Sequence, residues 1–115
     1  MKIRIKGNSL RYRLTKTDVE IFLSEGYLED VTHFGEHTLT YALQRTSAEN
    51  LSASFTNNKI TLFMPDQFAN TWNSPNKVGF EGQSDQLFLL IEKDFKCLDD
   101  VAEDQSDNYP NPHTL

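Results

Sequence analysis

KITLFMPDQFANTWNSPNKVGFEG, from Lys59 to Gly82, is the stretch on which the reading of this chain turns. Ile60, Leu62 and Met64 alternate with Thr61 and Phe63, the period of two that lays one side of a strand on a core. Pro65 suits the first turn of a helix, where its missing N–H would have no partner in any case. Phe68, Ala69 and Trp72 form that helix's buried stripe, Ser74-Pro75-Asn76 stops it, and Val78 and Phe80 lie on a returning strand. Upstream, Ala53 and Phe55 alternate with serines before an Asn57-Asn58 turn. Downstream, a turn over Gly82-Gln83-Ser84-Asp85 leads into Leu87–Ile91, a continuous apolar run that reads as a strand buried on both faces. Residues 51–93 thus read as ββαββ.

A rougher copy of the plan lies fifty positions earlier, over residues 2–45. Ile3 and Ile5, then Leu10, Tyr12 and Leu14, alternate with basic residues on either side of a Gly7-Asn8 turn. Thr15 reads as a helix N-cap with Asp18 in the capping-box position, Val19, Phe22 and Leu23 share a helical face, and Gly26 is placed for a C-terminal cap. A hairpin follows, Tyr27 to Phe34 and Thr38 to Gln44 about a Gly35-Glu36 turn. Without gaps the halves align Ile5 with Phe55, Leu10 with Ile60, Tyr12 with Leu62, Leu14 with Met64, Phe22 with Trp72 and Leu39 with Leu89. The expected fold class is α+β: a small, mostly-β, barrel-like domain over residues 1–98, built from two ββαββ pseudo-repeats with about eight strands and two short helices. Residues 99–115 read as an acidic, proline-containing tail docked on it.

The second half resembles the AbrB-type swapped-hairpin half-barrel. Asn58-Lys59 stands where those proteins favour Gly-Arg, and Met64-Pro65 where they favour an aliphatic-Pro pair; the first half departs from this with Leu14-Thr15. The resemblance implies two interlocked units, in tandem as in the MraZ-like regulators. MKIRIKGNSLRYRLT, LTYAL, EKDFKCLD and DNYPNP resemble, in addition, a family of short bacterial proteins of unknown function. That second resemblance implies no activity.

The 115 residues carry a net charge of −6, distributed unevenly. Residues 1–16 hold six of the eleven basic residues and no acid, while the remainder sets five basic residues against seventeen acids, a local −12. No apolar run approaches the roughly 20 residues of a membrane helix, and the N-terminus lacks the apolar centre of a signal peptide. The single cysteine excludes an intrachain disulfide and points to a reducing, cytoplasmic setting. No nucleophile elbow, phosphate-cradling loop or H-E-x-x-H motif is present, so the leaning is away from an enzyme.

Two constellations remain. If Ile3, Ile5, Leu10, Tyr12 and Leu14 face the core, Lys2, Arg4, Lys6, Arg11 and Arg13 crowd the opposite face of one β-ribbon. Like charges across strands cost up to about 1 kcal/mol per pair, so a counter-ion should be near. The candidates are nucleic acid, an acidic partner protein, the chain's own acidic tail, or plain solvation. The pI near 4.9 weighs against nucleic acid. The second set, His33, His37, Cys97 and His113, carries the alternative function, a metal- or small-ligand-binding protein with its site where the tail meets the domain; these residue types hold zinc when they converge, and solvated histidines and a cysteine in the core are the plainer reading. No other cofactor is expected. Oligomeric state is open at this level.

Overall fold

The computed structural model, which describes residues 1–96 and 105–110, runs ββαββ twice. The first pass comprises β1 (Lys2–Lys6), β2 (Ser9–Leu14), α1 (Lys16–Glu25), β3 (Tyr27–Phe34) and β4 (His37–Thr46). The second comprises β5 (Ser52–Thr56), β6 (Lys59–Pro65), α2 (Asp66–Thr71), β7 (Gly79–Ser84) and β8 (Leu87–Lys93). The capping box of α1 forms as expected: the Asp18 N–H donates to Thr15 Oγ1 at 3.3 Å and the Thr15 N–H to Asp18 Oδ2 at 3.0 Å. Gly26 ends α1 at φ 74°, a left-handed conformation that a Cβ would disfavour, and its N–H closes on the Phe22 carbonyl. Pro65 stands one place earlier than expected. It is the last residue of β6 and the N-cap of α2.

The hairpins are exchanged between two sheets, in the orders β1-β2-β8-β7 and β3-β4-β6-β5. Each sheet takes one hairpin from each half of the chain, joined centrally by a parallel pair, β2 with β8 and β4 with β6. Leu10 lies beside Leu89 and Tyr12 beside Ile91, whereas Ile60 lies beside Tyr41 and Leu62 beside Leu43. The gapless alignment would have set Ile60 beside Leu39, so the second parallel pair is shifted by two residues. A two-residue slip preserves which side chains face the core. The shift seats the Tyr41 ring against Tyr12 of the other sheet, centroids 6.2 Å apart and edge to face.

Leu10, Tyr12, Leu14, Leu89 and Ile91 of one sheet and Leu43, Leu62 and Met64 of the other form a single core. The helices cap one end of it, where Phe22 of α1 meets Trp72 just after α2, centroids 6.2 Å apart. These are positions that the fifty-residue alignment equates. At the opposite end the sheets part into an apolar cleft of about 370 Å³ walled by Ile5, Leu10, Leu39, Phe55, Ile60 and Leu87.

Two expectations need correction. The sheets do not close into a barrel: among the described residues no ladder joins the edges β1 and β3 or β5 and β7. Side chains and the chain's amino group bridge those seams instead. Leu51 lies against Gly82 at one, and the Met1 amine reaches Asp30 at the other. Nor is Leu87–Ile91 buried on both faces, since Phe88 is 41% exposed and Leu90 half-buried on the outer side of β8.

Of the C-terminal stretch, residues 105–110 pack back on the domain. Tyr109 bridges Phe95 with hydrogen bonds to Asp94 and Lys96, and the Asp107 carbonyl accepts from the Lys16 N–H at 3.1 Å. Residues 97–104 and 111–115 lie outside the described residues.

Candidate functional site

Hairpin register builds the site. β1 and β2 pair Lys2 with Arg13, Arg4 with Arg11 and Lys6 with Ser9, so these side chains share the outer face while Ile3 and Ile5 turn inward with Tyr12 and Leu10. The parallel neighbour β8 then sets Phe88, Leu90 and Glu92 beside Ser9, Arg11 and Arg13. All five cations singled out from the sequence therefore lie on one face.

Part of that charge is already answered. Glu92 Oε1 lies 3.1 Å from Arg13 Nε and 3.4 Å from Arg11 Nε. Lys2 Nζ lies 3.0 Å from Oδ2 of the buried Asp94, too poorly aimed for a hydrogen bond but close enough for strong charge attraction. Arg4 and Lys6 have no such partner among the described residues. Beside them Arg11, Phe88 and Leu90 complete a shallow groove of about 220 Å³. A second groove, of about 840 Å³, shares Leu90 and runs on between α2 and β7, past Phe68, Lys77 and Phe80.

Sequence reasoning missed Glu92, Phe88 and Leu90. Glu92 ends an apolar run with nothing local to tie it to arginines some eighty positions away. The missed signal was the run's own parity, since Leu89 and Ile91 mark one face and leave Phe88, Leu90 and Glu92 on the other.

Three titratable groups flank this face without belonging to it. The Met1 amine is held by Asp30 Oδ2 at 2.9 Å and Asp18 Oδ2 at 3.0 Å. Burial works against its charge, but the hydrogen bonds and charges of Asp30 and Asp18 outweigh it and raise its pKa above the usual 8.0. Lys93 Nζ donates to the Ser74 carbonyl at 3.1 Å and lies 5.0 Å from the Tyr109 ring centre; burial lowers its pKa. Asp107 accepts from Thr15 and Thr17, which hold its carboxyl below the usual range. It therefore points to the start of α1 and not to the basic ribbon.

The metal set is only partly described. The β3–β4 register pairs His33 with Thr38 and Phe34 with His37, which puts the two imidazoles on opposite faces of an exposed hairpin tip. Cys97 and His113 lie outside the described residues. Among the described residues no three His, Cys, Asp or Glu side chains gather as a metal site would require. No described helix is long and apolar enough to cross a membrane.

No curated protein and no solved structure matches the chain, so the likeness to the AbrB-type barrels gains no support from structural comparison. The model of one family, described as a family of unknown function (DUF7009), matches residues 1–113, and the chain belongs to that family.

Proposed function

We propose that this is a non-enzymatic, cytoplasmic binding protein that takes an acidic segment of a partner protein on the outer face of β1, β2 and β8. One observation carries the reading: Arg4 and Lys6 stand without partners among the described residues, beside the apolar Phe88 and Leu90. Exposed cations next to apolar surface suit a segment that brings carboxylates and some apolar area together.

Nucleic acid fits the same face less well. Glu92 occupies the place between Arg11 and Arg13 that a phosphate would take. The remaining two cations offer far fewer than the roughly 6–10 phosphate contacts that give strong, salt-sensitive binding. The net charge of −6 adds a repulsive field.

Fluorescence anisotropy with a labelled oligoglutamate peptide and a labelled single-stranded oligonucleotide tests the reading. Peptide binding should weaken as salt rises and should vanish in Arg4→Glu/Lys6→Glu. Tighter binding of the oligonucleotide, lost in the same variant, would move the assignment to nucleic acid; binding of neither probe would end it.

A further inference from the structure

The exposed edge of β1 carries more information than its charge. β1 is the last strand in its sheet, and among the described residues its only ladder is with β2. The connection is the two residues Gly7-Asn8, which makes Lys6 and Ser9 the closing, hydrogen-bonded pair of the hairpin. Bonded pairs alternate with unbonded ones, so Arg4–Arg11 and Lys2–Arg13 are bonded as well. The N–H and C=O groups of Ile3 and Ile5 therefore point away from β2, along an edge that no strand pairs with among the described residues. The other sheet's edge strand on this side, β3, meets the chain at the Met1 amine, before β1 begins.

Side chains on the two faces of this edge differ in kind. Outward stand Arg4 and Lys6; inward stand Ile3 and Ile5. Ile5 is 61% exposed although it faces the core, because the sheets part there into the apolar cleft that it lines. Edge strands often carry charge to prevent sheet-to-sheet aggregation. The corresponding edge strand β5, Ser52–Thr56, carries no charge at all, so this fold does not demand cations at such an edge.

We propose, resting on the acidic-segment reading above, that the segment's main chain pairs as an added β-strand along the free edge of β1, with its acidic side chains over the outer face at Arg4 and Lys6 and beyond reach of Phe88 and Leu90. Its acidic residues would alternate onto Arg4 and Lys6, and its apolar residues onto Ile5 and the mouth of the cleft. Main-chain hydrogen bonds to Ile3 and Ile5 supply affinity, and the period-two alternation supplies selectivity. A second copy of β1 is excluded as the occupant, since it would set lysines and arginines against one another. The β3 edge of a second copy offers little, because the Met1 amine already engages its Asp30.

The probes are two blocked seven-residue peptides of one composition, an alternating DIEVDIE and a segregated DDEEIIV, with binding read by anisotropy and amide exchange by NMR. The alternating peptide should bind about tenfold tighter and slow exchange at Ile3 and Ile5. Ile5→Lys should abolish that difference, while Arg4→Glu/Lys6→Glu should abolish binding of both; circular dichroism checks that each variant folds. Equal affinities without amide protection would overturn strand addition and leave the acidic-segment reading standing. Binding of neither peptide would overturn both. Dimerisation that itself protects the Ile3 and Ile5 amides would assign the edge to self-association and overturn the proposal.

Discussion

Burial of charge at the Met1 amine and at Lys93 couples single residues of this molecule to pH. The Met1 amine is the clearest case, with one oxygen of Asp18 and one of Asp30 within 3.0 Å. Its pKa is raised in the fold, so the stability it contributes is full below about pH 8 and fades as pH climbs through the raised value. Lys93 acts in the opposite sense, because burial lowers its pKa and alkaline conditions relieve the cost of charging it. Comparing the native chain with Asp30→Asn isolates the amine, since Lys93 is common to both. The variant should be less stable by about 1 kcal/mol at neutral pH, a value kept small by the partial exposure of Asp30. Urea unfolding from about pH 7 to 10 should show that gap narrowing as pH rises. A gap that stayed constant would mean that the amine's charge contributes nothing.

Elements are held by a few positions where substitution has nowhere to go. A Cβ on Gly79 would collide with the Ile91 carbonyl oxygen and stand 2.8 Å from Glu92 Cα, both backbone atoms of the paired strand β8. Gly79→Ala should therefore cost about 1–3 kcal/mol by forcing β7 off β8, read as a lower urea midpoint. Gly82→Ala meets the Leu51 side chain first, at 3.2 Å, and should cost less. Local grammar made the elements legible in the sequence: alternation marked the strands, Asn57-Asn58 the turn, and Thr15 with Asp18 the start of α1. What stayed hidden was pairing at a distance. Leu10 beside Leu89 and the close approach at Gly79 depend on partners that no short window contains. The two-residue register shift was invisible for a related reason, since parity is the same at either register. The candidate face was half legible: five cations declared themselves, but their apolar neighbours Phe88 and Leu90 lie in a run that reads as wholly buried, and their counter-ions Glu92 and Asp94 follow directly after it.

At the scale of the whole molecule, the exchange of hairpins makes the halves interdependent. Each half sends one hairpin to each sheet, so neither contains a complete sheet or a covered core. Fragments 1–50 and 51–115 should each lack a cooperative unfolding transition alone and should regain the native circular dichroism spectrum when mixed. A fragment that melts cooperatively alone would show that one half is a self-sufficient unit. The central pairing of β2 with β8 also joins segments near the two ends of the chain, a long loop closure that favours slow folding.

The meeting of the two helix ends has an optical consequence. Trp72 is the protein's one tryptophan, fully buried and edge-on to Phe22 and Phe80, its indole N–H without a hydrogen-bond partner among the described residues. It is thus a native fluorophore shielded from solvent where both halves of the chain converge. Its emission reads assembly of the halves as one signal, at the far end of the core from the cleft that Ile5 lines. Folding and ligand capture can then be followed as two separate channels in one sample, with an extrinsic dye on the ligand.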